Sequence, residues 1–100
     1  MQERRETSRV PVKKQCVLTI EGRQVRARLE DVSRKGGLLR ILEPGDTVVT
    51  NDDLGMEATF VLATEKGSTN FTGEIIRLYY ANGAYHIVVR FWKEFPESPV

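Results

Sequence analysis

Arginine is concentrated at the start of this chain. Arg4, Arg5 and Arg9 fall in the run Arg4-Arg5-Glu6-Thr7-Ser8-Arg9, where Arg5 and Arg9 form Arg-x-x-x-Arg. A guanidinium is a planar fork of donors. It pairs bidentately with a phosphate, or with O6 and N7 of a guanine, where a lysine would supply charge without the fork. On an extended strand, positions i and i+4 point to the same side roughly 13 Å apart, and on a turn or arm they close on one ligand from two directions. The run Asp31-Val32-Ser33-Arg34-Lys35-Gly36 supplies the complementary chemistry. Asp31 and Ser33 can accept hydrogen bonds of the kind a guanine offers from N1–H and N2–H2. Gly36 permits positive φ and lets backbone approach a ligand closely.

Each run also has a plain structural reading. Two arginines four apart in a charged segment are commonly just solvated. Asp-x-Ser before Gly-Gly is a frequent turn signature, with Asp and Ser bonding to nearby backbone. Charge adds weight to the chemical reading. Residues 1–40 hold eleven Lys or Arg against five Asp or Glu, a net +6, whereas residues 41–100 hold four against nine, a net −5. A basic half in a near-neutral chain is expected where one surface meets an anion, or where two halves neutralise each other across the fold.

The elements that must position these residues read as strands. Residues 1–9 have no apolar face to bury and are expected to form a flexible arm. Period-two alternation then places Cys16, Leu18 and Ile20 on one face, with a turn at Glu21-Gly22. Val25, Ala27 and Leu29 face opposite Arg26, Arg28 and Glu30, and Gly36-Gly37 breaks that strand. Leu38 to Leu42 is a short strand, residues 44–55 are mostly loop, and Met56 to Leu62 is a half-buried strand. Lys66-Gly67-Ser68 is a turn signal, Phe71 to Tyr80 a strand, Asn82-Gly83 a hairpin turn, and Tyr85 to Phe91 the last strand. No segment holds a helical period over three turns. The expected fold is all-β, an antiparallel barrel or sandwich within one domain over residues 1–100: arm 1–9, barrel 10–92, tail 93–100.

Taken together and in this order, the two runs resemble those of the PilZ family, over Arg4 to about Trp92. The resemblance implies a six-stranded antiparallel, Greek-key-like barrel, here with little or no C-terminal helix. It implies that the ligand is cyclic di-GMP. Arg5 and Arg9 would hold guanine and phosphate, while Asp31, Ser33 and Gly36 would form the opposite wall. An Arg before the first motif, as at Arg4, suggests a stacked pair of ligand molecules; the alternative is a solvated arginine. Arg34 and Lys35 fill variable positions, and Arg77 is a better candidate than Arg90 for a basic residue near the ligand. The resemblance also implies an arm that orders over the ligand and a downstream protein partner that the sequence does not name.

Other chemistries find little support. With one histidine, His86, and one cysteine, Cys16, no zinc site reaches the usual ligand count. His86 alternates in a strand with no nucleophile signature beside it and reads as a surface histidine, so catalysis is not expected. Trp92 and the tyrosines read as core or barrel-end packing. A nucleic-acid-binding barrel would interleave aromatics with the basic residues, and residues 1–40 contain no Phe, Tyr or Trp. A PilZ-like adaptor that binds only protein would be expected to lack the motif residues. The chain has no apolar run of membrane-spanning length, its start does not read as a secretory signal, and a lone Cys16 suits a reducing cytoplasm.

Overall fold

Alternating apolar side chains need a second apolar surface, and here the sheet supplies it by closing on itself. The computed structural model describes residues 9–43, 49–64 and 67–92. Its strands are β1 (Val10–Ile20), β2 (Arg23–Val32), β3 (Gly36–Glu43), β4 (Glu57–Thr64), β5 (Gly67–Ala81) and β6 (Ala84–Phe91). They form a closed antiparallel barrel in the order β1-β2-β3-β6-β5-β4. β3 and β4 follow one another in sequence but are separated in the sheet by β6 and β5. β6 therefore returns to lie beside β3, a Greek-key arrangement. No α-helix occurs among the described residues.

Inward positions fill the barrel. Leu18, Ile20, Ala27, Leu29, Leu39, Phe71 and Ile87 have no exposed surface. Phe60 stacks on Phe71 with ring centroids 4.9 Å apart, and Phe91 tilts against Phe71 at 5.3 Å. Burying each such side chain contributes roughly 1.5–3 kcal/mol. Closure itself is narrow. β1 meets β4 only from Leu18↔Phe60 to Ile20↔Ala58. Beyond that seam, the earlier part of β1 pairs with β2 alone, and Lys14 Nζ reaches across to Ala63 O at 3.4 Å.

Among the described residues the ladders shift register at Pro11/Lys14, Arg26/Ala27, Leu29/Asp31 and Ile75/Arg77, and the last two shape the outer face. β2 and β3 pair at Leu29↔Leu39 and next at Asp31↔Leu38, so Glu30 is an extra residue. β5 and β6 pair at Ile75↔Val89 and next at Arg77↔Val88, so Ile76 is an extra residue. A one-residue slip turns everything after it to the other face. Leu29 and Val32 both point inward, leaving Glu30 and Asp31 outside; Ile75 and Leu78 point inward, leaving Ile76 and Arg77 outside.

Several sequence expectations need correction. Gly36-Gly37 opens β3 instead of breaking a strand, because the chain reverses one step earlier, at Ser33 to Lys35. Gly67 and Ser68 already belong to β5, paired with Thr64 and Ala63. The stretch read as loop contains buried Val49 and a 3-10 turn at Asn51–Asp53. Tyr80, Tyr85 and Trp92 are 62%, 45% and 60% exposed, so they are not core. The expected arm, apart from Arg9, and the tail beyond Trp92 lie outside the described residues.

The 3-10 turn is fastened by charge. Asp53, 6% exposed, pairs with Arg23 and accepts from the Thr50 N–H, while Thr50 Oγ1 accepts from the Asp52 N–H. Burial acts to raise the Asp53 pKa, but the Arg23 hydrogen bond, the Thr50 N–H and the Arg23 charge together hold it below the ordinary value. A depressed carboxylate contributes stability above its unfolded pKa, about 3.9, and loses it as pH falls through the folded value. Urea titrations should show Asp53→Ala costing about 2–3 kcal/mol near neutral pH, with the gap to wild type closing below about pH 4. A gap independent of pH would contradict the ion pair.

Candidate functional site

The bulge at Glu30 is what brings Asp31 to the surface. From there an outward row crosses four strands: Asp31 in β2, Leu38 in β3, Val88 in β6 and Arg77 in β5. At the usual strand spacing, Asp31 and Arg77 stand roughly 14 Å apart, with two half-buried aliphatic side chains between them. The next outward row is Arg28, Arg40, His86 and Tyr79. The face is thus an apolar floor with a carboxylate at one side, an arginine at the other, and a cationic and aromatic row beside it.

The two sequence motifs meet here. β1 pairs Pro11 with Asp31, which sets Arg9 beside that carboxylate. Arg9 Nη1 donates to Asp31 Oδ1 at 3.2 Å, with the side chains 54% and 24% exposed. An ion pair this exposed contributes about 0–1 kcal/mol and separates easily. Glu30, the bulged residue, lies between two further cations. Lys13 Nζ is 3.2 Å from its Oε1, and Arg28 Nε is 3.4 Å from its Oε2. That second contact lacks hydrogen-bond geometry although both atoms are buried. Arg40 and Arg77 have no carboxylate partner among the described residues.

Ser33 and Gly36 build the β2–β3 turn. Ser33 N–H donates to Gly36 O at 2.8 Å, and Ser33 Oγ accepts from the Lys35 and Gly36 N–H groups at 3.2 and 3.3 Å. The hydroxyl is 3.4 Å from Gly36 O, so Ser33 is occupied with backbone. Gly36 does not use positive φ. Its glycine is needed for closeness: a Cβ there would strike the Val89 carbonyl and sit 3.4 Å from Arg90 Cα. Gly73 meets the same stretch of β6 from the other side, where a Cβ would lie 2.9 Å from Phe91 Cα. The end of β6 is therefore pressed between two strands that must both be bare.

Arg77 lies over the Tyr79 ring, 4.7 Å from its centroid, and Tyr79 stacks on His86 at 5.1 Å and 6°. His86 is only 8% exposed, with Nδ1 3.1 Å from Ala84 O, which corrects the reading of it as a surface histidine. Stacking under Tyr79 covers it although its strand face is outward. Arg4 and Arg5 lie outside the described residues. Sequence reasoning missed Arg28, Arg40, Tyr79 and His86 as members of this face. The bulges that set Asp31 and Arg77 outward had a local signal, the like pairs Glu30-Asp31 and Ile75-Ile76, which break strict alternation. No group of three or more potential metal ligands occurs among the described residues.

A family model described as PilZ domain matches residues 3–98. The solved PilZ domain of YcgR from Escherichia coli, with c-di-GMP, superposes with a TM-score of 0.71 and 17% identity. That match covers 94% of this chain and 82% of that one. At this identity the likeness is one of fold. No curated protein matches the chain.

Ser33 and Asp31 should separate in urea unfolding. Ser33→Ala leaves two turn N–H groups without their acceptor and is expected to cost about 1–3 kcal/mol. Asp31→Ala loses an exposed ion pair and should cost less than about 1 kcal/mol. Equal losses would place Asp31 in the framework instead of on a surface available to a ligand.

Proposed function

The chain belongs to the PilZ domain family, and from that premise we propose that it is a receptor for cyclic di-GMP. The observation that carries this reading is the contact between the two motifs, Arg9 Nη1 to Asp31 Oδ1 at 3.2 Å on the outer face. Guanine carries acceptors on its Hoogsteen edge and donors on its Watson–Crick edge. A guanidinium and a carboxylate held together at rest can each turn to one such edge. Because their mutual pair contributes little, the ligand exchanges a weak contact for several charge-assisted ones of about 1.5–3 kcal/mol each.

Arg5 would join Arg9 on guanine and phosphate. Arg4 would add charge and a stacking surface if two ligand molecules bind together. Leu38 and Val88 offer an apolar floor between Asp31 and Arg77, and Arg77, carried on Tyr79, supplies a second cation toward the phosphates. Ser33 and Gly36 serve the site by fixing the turn that follows Asp31; a direct contact from Ser33 requires it to give up backbone bonds. The reading is of a binding protein, not an enzyme, working in the cytoplasm. Residues 4–9 close over the bound dinucleotide, and the covered face becomes the surface that a downstream protein reads. The ordering cost, roughly 1–2 kcal/mol per backbone residue, limits net affinity.

Titration calorimetry tests this. Arg5→Ala, Arg9→Ala and Asp31→Ala should each weaken cyclic di-GMP binding at least about tenfold, that is by 1.4 kcal/mol or more. Two ligands per chain in the wild type, falling to one in Arg4→Ala, would assign Arg4 to a stacked pair. An absence of heat with the wild-type protein at tens of micromolar ligand would overturn the receptor reading.

A further inference from the structure

β3 and β6 pair from Gly36↔Arg90 to Arg40↔His86. Both strands run on past that point, β3 to Glu43 and β6 back to Ala84. The same register would set Ile41 against Tyr85 and Leu42 against Ala84, but the strands part instead. On its far side β6 stays paired with β5, while β3 pairs with β2 at Ile41 and Glu43 and carries Leu42 between them as an extra residue. The result is a V-shaped groove of about 320 Å³. Ile41 and Leu42 line one side, Tyr80, Ala84 and Tyr85 the other, and Arg40 stands where the strands diverge.

The groove has three properties that point to one occupant. Ile41–Leu42 of β3 and Ala84–Tyr85 of β6 do not pair with each other, which leaves a short opening that an extended peptide backbone can enter. Its walls are apolar and aromatic: Leu42, Tyr80 and Tyr85 are 37%, 62% and 45% exposed, and the tyrosine rings meet edge-on at 4.9 Å and 78°. Its vertex is cationic, because Arg40 lacks a carboxylate partner among the described residues and faces Arg28 across the ladder. Tyr and Arg around a cleft are the residue types enriched at interface centres.

We propose that this groove docks an extended, acidic segment of a partner protein. The segment's backbone adds to the open edge of β3 or β6, a carboxylate pairs with Arg40, and the neighbouring apolar side chain packs on Leu42 and Tyr85. The proposal does not depend on the nucleotide reading: Arg9, Asp31 and Arg77 take no part in it, and Arg40, at the margin of that face, is the one residue the two share.

The test uses ¹⁵N chemical-shift mapping with two acetylated, amidated heptapeptides, one alternating glutamate with leucine, the other lysine with leucine. The glutamate peptide should perturb the amides of Ile41, Leu42, Ala84 and Tyr85, and the lysine peptide should not. Arg40→Ala and Leu42→Glu, both surface changes, should each weaken the glutamate peptide at least fivefold. Equal response to both peptides, no response at millimolar glutamate peptide, or shifts centred on Arg9 and Asp31 would overturn the proposal. So would self-association through the same residues in the absence of peptide. Calorimetry with cyclic di-GMP on the same samples keeps the two readings separate. If Arg40→Ala abolished dinucleotide binding and left the peptide unaffected, Arg40 would belong to the nucleotide face and the groove proposal would fall.

Discussion

The row from Asp31 to Arg77 on the outer face depends on two places where a strand carries one residue more than its neighbour. In a closed barrel the inward positions are fixed by packing, since Leu29, Val32, Ile75 and Leu78 all belong to or pack on one core. Were Glu30 a regular ladder residue instead of a bulge, Asp31 would take the inward phase of the alternation; Ile76 and Arg77 stand in the same relation. A carboxylate or guanidinium in that core would cost several kcal/mol. The bulges are therefore the means by which a hydrophobically determined barrel presents a charged row.

A second constraint acts at the end of β6. Gly36 and Gly73 press on it from both sides, and neither position has room for a methyl group. This ties a motif glycine to the barrel's closure. The turn beyond it, held by Ser33 Oγ, fixes where Asp31 emerges. Of the second motif, Ser33 bonds to turn backbone and Gly36 packs on β6, while Asp31 presents an acceptor to Arg9.

Most of the fold was legible because period-two alternation and the turn pair Asn82-Gly83 are direct consequences of pleat and turn geometry. The closed six-stranded antiparallel barrel agrees with what the motif resemblance implied. Three things were not legible. The bulges hide in doubled pairs that a strict alternation reads through. The burial of His86 depends on Tyr79, seven positions away in sequence but its register partner in the sheet. The role of Gly36 depends on the backbone of Val89, more than fifty positions on, which no local window contains.

The narrow seam between β1 and β4 gives the barrel an uneven resistance to opening. Ile20 is held on both sides, whereas Val10 to Val17 has ladder pairing with β2 alone among the described residues, with Lys13 at φ 57° interrupting even that ladder. Arg9 is the residue just before this stretch. The part of the barrel that breathes most readily is then the part to which the first motif is attached. A pull on Arg9 would meet this singly paired stretch of β1 before the seam at Leu18 to Ile20 or the aromatic pair Phe60 and Phe71.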